Sequence, residues 1–300
     1  MKDGVILVNK EAGMTSFDVV AVIRRIMHTR QVGHTGTLDP MATGLLPVMI
    51  GRAVKASEYL SSDNKSYEAV MLLGVTTDTE DVTGNVLSRA ESVPDFDEVK
   101  KAASCFVGQI YQVPPMYSAL KKDGKKLCDL ARQGITGDSE CRPGSIYSLD
   151  VMQGENENEY VLSVSCSKGT YIRTLCADIG KTLGCGAVMS ALKRTKTGGF
   201  SLEDAHTLSE IEEMSEGELE RNILDTESLF SDCEKVVLPP FFAHLAKSGC
   251  EIYQKKIGTG FELGQKIRMY DSEGFFSLGE VKEYEDGSAI KPIKKFRIEQ

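Results

Sequence analysis

The segment Gly33-His34-Thr35-Gly36-Thr37-Leu38-Asp39-Pro40-Met41-Ala42-Thr43-Gly44 carries one acid, Asp39, in an otherwise uncharged run with three glycines and a proline. Such a composition makes a loop. A carboxylate held on a rigid turn among small neighbours has the reach that a nucleophile or general base needs. Asp-Pro is also a common turn former, and the residue types alone leave both readings open. Other loop chemistries are excluded. The Gly-Lys-Ser/Thr ending of a phosphate-binding P-loop is missing, and no Gly-x-Gly-x-x-Gly occurs. Asp78-Thr79-Glu80-Asp81 does not fit a calcium loop, because its turn glycine falls at Gly84, too late for that spacing. The cysteines (105, 128, 141, 166, 176, 185, 233 and 250) form no Cys-x-x-Cys pair, and His28, His34, His206 and His244 lie far apart, so no metal-ligand set is visible. The cysteines read as thiols of a reducing compartment.

The elements that must carry this loop follow from periodicity. Val5 to Val8 reads as a short buried strand. Thr15 or Ser16 caps a helix with Asp18 in its first turn; Val19, Val22, Ile23, Ile26 and Met27 follow a 3.6-residue period. Beyond the loop, Leu45 to Ile50 reads as a buried segment and Tyr67 to Val75 as a strand, followed by a polar loop from Thr76 to Asn85. Pro94-Asp95 opens a helix through Phe106, stopped by Gly108, and Leu127 to Arg132 reads as a short helix ended by Gly134. Tyr160 to Cys166 is a predicted strand, Ser167-Lys168-Gly169 a turn, and a helix runs from there through Leu183 to Gly184.

Composition and charge bound the function. At 300 residues the chain exceeds one ordinary core and suggests a large domain with a smaller companion. With 41% hydrophobic and 26% charged residues it is neither disordered nor fibrous. No run of about 18 apolar residues would span a bilayer. The N-terminal apolar stretch is too short for a signal peptide, so a cytoplasmic protein is expected. The net charge of −9 argues at first against nucleic acid. Its distribution reverses that: residues 201–234 hold twelve acids against Arg221, a local −11, which leaves +2 for the rest, and 166–200 carries +5. A local basic stretch binds phosphate whatever the global sum. In the acidic segment Leu208, Ile211, Met214 and Leu219 line one helical face. After Val236 the texture changes: Leu238-Pro239-Pro240 breaks the chain, and strand-like runs at Lys266 to Tyr270, Phe275 to Leu278 and Glu280 to Glu283 are separated by Gly and Asp.

The segment 33–44 closely resembles the catalytic motif of the TruB-type tRNA pseudouridine synthases, the enzymes of uridine 55 in the TΨC loop. Four more blocks resemble that family in order. They are Lys65-Ser66-Tyr67-Glu68 with Leu73 to Thr79, then Pro114 to Lys121 with Ala131 to Gly134, then Cys166 to Leu175, and Ala191-Leu192-Lys193-Arg194. Departures are Cys128, where many relatives carry an aromatic residue, and the acidic 201–234 segment with its low pI of about 5.2.

The resemblance implies a uridine isomerase that needs no cofactor and no metal, since neither electrons nor outside atoms enter. By resemblance Asp39 is the nucleophile. Burial would tend to protonate it, and Arg173 is expected to hold it ionised through a bidentate pair. Tyr67 would stack on the uracil and help move its proton, with Tyr171 and Leu192 as pocket walls. His34 would fill the space that the flipped base vacates. Lys10, Lys168, Lys193 and Arg194 are candidate phosphate contacts. The implied partner is the TΨC stem-loop of tRNA, bound by a monomer with no obligate protein partner. The competing readings are a non-catalytic RNA-binding factor, which need not carry Asp39, Tyr67 and Arg173 together, and a hydrolase, which lacks a second carboxylate or a partnering His. The implied fold is α+β: a catalytic domain over 1–232 on a mixed, largely antiparallel central sheet with packed helices, its residues 201–232 an acidic helical segment. A small β-barrel like the PUA RNA-binding domain follows over 233–300.

Overall fold

The computed structural model describes residues 2–59, 64–115, 117 and 140–297, together with the backbone of 121–122 and 125–126. The Leu127–Arg132 helix and Cys128 lie outside the described residues, as do residues 116 and 118–120 of the Pro114–Lys121 block and all of Ala131–Gly134.

The first apolar run forms β1 (Gly4–Lys10), which pairs antiparallel with β3 (Thr43–Ile50). Successive side chains of a strand point to opposite faces. Ile6, Val8, Leu46, Val48 and Ile50 therefore enter one core, with Val19, Val20 and Ile23 of α1 (Ser16–Ile26). Val5, Leu7, Leu45 and Met49 enter a second core, with Leu229, Phe230, Leu278 and Phe296. Both faces are covered, which is why the run reads as continuously apolar rather than alternating. Thr15 caps α1 in a capping box with Asp18.

Among the described residues the main sheet has nine strands, in the order β1-β3-β12-β4-β11-β10-β7, with β2 (Val32–His34) added on β3 and β13 (Phe200–Ser201) on β12. The other members are β4 (Lys65–Leu73), β7 (Gly108–Gln112), β10 (Arg142–Gln153), β11 (Glu159–Cys166) and β12 (Ala187–Thr197). β3 and β12 run parallel; the other pairings are antiparallel, so the sheet is mixed and largely antiparallel, as expected. The expected polar loop after β4 is a hairpin of β5 (Val75–Thr77) and β6 (Val86–Arg89) with a turn between them. β8 (Lys121–Lys122) and β9 (Lys125–Lys126) form a small ladder of their own. Helix α2 (Phe96–Ser104) is capped by Asp95, and α3 (Ile172–Thr182) ends at Gly184, whose φ of +76° suits glycine.

β10 and β12 have no counterpart in the periodicity. Each carries register shifts, between Ile146 and Ser148 in β10 and around Ser190 and Thr195 in β12. Each bulge breaks the two-residue alternation by which a strand is recognised.

The acidic segment is not one amphipathic helix. Thr207 and Ser215 each start a capping box, with Glu210 and Glu218, so the chain restarts as α4 (Leu208–Glu213) and α5 (Glu216–Asn222). Ile211 is buried as expected; Leu208, Met214 and Leu219 pack against the core. The flanking backbone pairs with β1, through His206 on Leu7 and Asn9 and through Leu224 on Val5, and so closes the edge of the sheet. Every acid of 201–234 except Glu227 is exposed.

The C-terminal residues form a curled five-stranded sheet, a half-barrel in the order β14-β16-β17-β18-β15. Its strands are β14 (Glu234–Val237), β15 (Ile252–Tyr253), β16 (Lys266–Asp271), β17 (Gly274–Tyr284) and β18 (Gly287–Lys295). Two expectations change here. Pro240 does not end structure but occupies the first turn of α6 (Pro240–Lys247), where its missing N–H costs nothing. Gly279 does not separate two strands. It lies inside β17, where a Cβ would approach Ile290 Cγ2 to 2.6 Å. A further short helix, α7 (Gln254–Ile257), follows β15. The second core joins this sheet to β1 and β3, and Tyr59 donates to the Ile293 carbonyl at 3.2 Å across the junction.

Candidate active site

Strand β12 positions the site. Its Arg194 lies opposite Tyr67 on β4 and opposite Gly44 on β3, at the end of the Asp39 loop. Gly44 has φ +98°, and a Cβ there would run into the Arg194 backbone. The loop's final glycine is thus required for close approach as well as for backbone angle.

Buried groups grip the loop from beneath. The Arg194 guanidinium donates through Nε to the Leu45 carbonyl (2.8 Å), and through its terminal nitrogens to those of Gly36 (3.1 Å) and Thr37 (3.4 Å). The Lys10 ammonium donates to the carbonyls of Glu11 (2.8 Å), Met14 (2.8 Å) and Pro40 (3.4 Å). Ser16 accepts from Leu38 N–H (2.8 Å) and donates to its carbonyl (3.1 Å). Lys10 is 0% exposed and Arg194 1%. Neither is a phosphate contact, contrary to the sequence expectation; both spend their N–H groups on the backbone that shapes the Asp39 turn. Burial lowers the Lys10 pKa to about 8, with the Asp39 charge opposing the fall.

Asp39 faces a cavity of about 330 Å³ lined by, among others, Lys65, Tyr67, Lys168, Tyr171, Arg173 and Leu192. Arg173, in the first turn of α3, places Nε 3.0 Å from Asp39 Oδ2. The pair is not the bidentate one expected, because the rest of the fork is engaged elsewhere. One terminal nitrogen lies 3.5 Å from the Asp81 carboxylate and donates to the Thr79 carbonyl at 3.2 Å; the other donates to the Tyr117 carbonyl at 2.9 Å. Burial pushes the Asp39 carboxyl above the usual carboxylate range, and Asp81 adds to the rise while Arg173 and Lys10 oppose it. Tyr67 is buried, and its phenol is pushed up by burial, with Arg194 opposing, so it stands as a neutral donor at neutral pH.

The remaining expected residues divide. Tyr171, half-buried, and Lys168, exposed, line the cavity, as does buried Leu192. Lys193 is exposed on β12 and does not line it. His34 ends β2 outside the cavity wall, half-buried; its Nδ1 is buried without a hydrogen-bond partner, and burial lowers its pKa. Among the described residues no three His, Cys, Asp or Glu side chains gather as a metal-ligand set.

Three positioning contacts had no assigned role in the sequence. Asp81 and the Thr79 carbonyl come from the β5–β6 turn, legible only as an acidic run. Gln112, buried at the end of β7, accepts from Tyr171 N–H (3.0 Å) and donates to the Tyr171 carbonyl (3.1 Å), fixing the entry to α3. No local pattern marks a glutamine for that task.

Comparison with known proteins places the chain in a family. The family model "TruB family pseudouridylate synthase (N terminal domain)" matches residues 24–172, and "tRNA pseudouridylate synthase B C-terminal domain" matches 173–231. A "tRNA pseudouridine synthase B" of Clostridium perfringens (strain 13) is 42% identical over 294 residues, 97% of this chain and 98% of the relative. One of the same name from Clostridioides difficile (strain 630) is 37% identical, over 97% of this chain and 99% of the relative. A chain of the crystal structure of a Cbf5-Nop10-Gar1 complex superposes with a TM-score of 0.76 at 26% identity, covering 98% of this chain and 85% of its own. With such relatives aligned from end to end, the chain belongs to the TruB family of pseudouridine synthases.

Proposed function

We propose that this enzyme converts uridine 55 in the TΨC loop of tRNA to pseudouridine, with Asp39 as the nucleophile and no cofactor. The observation that carries the reading is Asp39 itself: a lone carboxylate on a loop held by buried cations, facing a cavity that Tyr67 and Leu192 line, with Arg173 against it. The target base flips out of its stack into this cavity, at a cost of a few kcal/mol that stacking on Tyr67 offsets. The N1–C1′ bond breaks, the uracil turns while Asp39 holds the intermediate, and C5 joins C1′. The C5 proton leaves and N1 gains one, so atoms and charge balance. Attack at C6 of the base or at C1′ of the ribose satisfies the same balance and returns the carboxylate.

Arg173 favours the ionised form of Asp39 that this role requires, against burial and Asp81. Tyr67, neutral at working pH, serves as stacking surface and hydrogen-bond partner rather than as a standing base. Lys168 is the cation best placed to meet a phosphate at the rim. In the same proposal 1–232 is the catalytic domain, the half-barrel of 233–300 binds RNA as a PUA-like domain, and the enzyme works as a cytoplasmic monomer. The decisive experiment incubates purified protein with an unmodified tRNA transcript, without added metal or nucleotide, and maps pseudouridine. Conversion confined to position 55 is expected; an unconverted transcript that is nonetheless bound would favour an RNA-binding factor instead.

A further inference from the structure

The first turn of α3 carries Arg173 but has no side-chain cap of its own: Tyr171, at its N-cap, makes no capping hydrogen bond. It is held from two sides instead. Gln112 fixes the backbone of Tyr171, before Arg173. On the other side, Thr174 Oγ1 donates to the Glu80 carboxylate at 2.7 Å. Glu80 belongs to the β5–β6 turn, and its neighbours are the residues of that turn that meet Arg173: the Thr79 carbonyl and the Asp81 carboxylate. Residues 79, 80 and 81 thus dock on 173 and 174 as one unit.

The turn is anchored on its other flank as well. Met189 N–H donates to the Glu80 carbonyl and Val82 N–H to the Met189 carbonyl, each at 3.1 Å, so β12 captures the backbone on both sides of Asp81. Glu80 sits at φ +63°, a backbone region that a Cβ disfavours. Strain of this kind persists where the surroundings over-determine it, and here the carboxylate reaches Thr174 from that conformation. A carboxylate at the first turn of a helix also meets the positive end of its dipole.

We propose that Glu80 is a positioning residue for the isomerisation: by clamping the β5–β6 turn to Thr174, it keeps Asp81 and the Thr79 carbonyl on Arg173 and so fixes Nε beside Asp39. This rests on the reading of Asp39 as nucleophile. Without the clamp the turn keeps its hold on β12, but the first turn of α3 is tied to it through Arg173 alone and shifts against it more readily. A small misplacement of a catalytic constellation costs rate far more than it costs binding.

The test measures kcat, KM and tRNA binding for Glu80→Ala, Thr174→Val, the double variant and Glu80→Gln, with Asp39→Asn alongside. The clamp predicts that each single loss lowers kcat about tenfold with KM and binding unchanged, and that the double variant is no slower than either single one. Glu80→Gln recovers most of the rate, because its amide oxygen still accepts from Thr174. Wild-type kcat in Glu80→Ala, additive losses in the double variant, or a Gln variant as slow as Ala would each overturn the proposal. Should Glu80→Ala fail to fold, Thr174→Val against Thr174→Ser carries the test, since Ser keeps the hydroxyl and is expected to keep the rate. An active Asp39→Asn would remove the underlying reading. An inactive Asp39→Asn beside a fully active Glu80→Ala would remove only the clamp.

Discussion

Two buried arginines stand on either side of Asp39 and do different work. Arg194, beneath the loop, is almost fully enclosed and donates to three main-chain carbonyls. Arg173, at the cavity, meets two carboxylates and two carbonyls. Neutral acceptors let Arg194 shape a backbone without changing its charge balance. Carboxylate acceptors let Arg173 oppose the rise that burial imposes on the Asp39 carboxyl, the group proposed to react. Arg194 therefore mainly builds the loop, while also opposing the rise of the Tyr67 phenol, and Arg173 acts chiefly on carboxylates.

The sharpest test of that division is the group between them. Asp39→Asn keeps the size and turn propensity of the side chain but removes its charge. Pseudouridine formation should fall on the order of 10⁴-fold or more, while Tm and tRNA binding hold, because affinity is spread over many phosphate and stacking contacts. Near-normal turnover would sink the mechanism; loss of folding would return Asp39 to a turn former.

Arg194→Met should act on stability first. It strands the carbonyls of Gly36, Thr37 and Leu45, at about 1–3 kcal/mol for each one left unsatisfied, and a falling Tm should precede or accompany any loss of rate. Arg173→Lys should do the reverse: roughly a 10²-fold drop in kcat with a smaller change in Tm, because charge survives but the planar fork that spans four acceptors does not. If the two variants gave the same pattern in Tm and kcat, the distinction between building and tuning would fail.

A finer effect is expected in pH dependence. In the proposed mechanism Asp39 works ionised, and burial with Asp81 holds its carboxyl above the ordinary range, so kcat should fall as pH drops through that raised value. Asp81 is a like charge that raises it; Asp81→Asn should move the acid limb of the kcat profile to lower pH. A limb that moves upward would mean that the main effect of Asp81 on Asp39 runs through the placement of Arg173. The smallest effect concerns the acidic segment. Replacing the exposed acids of 201–234 by Gln should change tRNA affinity less than about threefold at moderate salt, and upward if at all, since salt screens charges beyond ~10 Å. A marked loss in a filter-binding assay would show that the segment touches RNA.

The chemistry-bearing loop was legible because its composition is extreme: one acid among glycines and a proline. Tyr67 and Arg173 were legible through ordered blocks of motif, and they do line one cavity with Asp39. Arg194 stands in one of those blocks and Lys10 ahead of them all, and both were misread as phosphate contacts. A base in a motif has the same letter whether it faces a phosphate or a carbonyl, and only burial separates the two. Strands β10 and β12 escaped because their bulges interrupt alternation, although β12 is the strand that brings Gly44 and Tyr67 together.

Local rules settled to within one residue where α1 is capped, at Thr15 or Ser16, as well as where α3 ends before Gly184 and that Asp39 sits on a turn. These are decisions among near neighbours, made by caps, backbone angles and side-chain period. The partners of Arg173 were settled elsewhere. Thr79, Asp81 and Tyr117 lie 56 to 94 residues away along the chain, and they meet it only once the β5–β6 turn has docked on β12 and α3. No spacing encodes such a meeting, because its distances are fixed by the packing of whole elements rather than by the geometry of one.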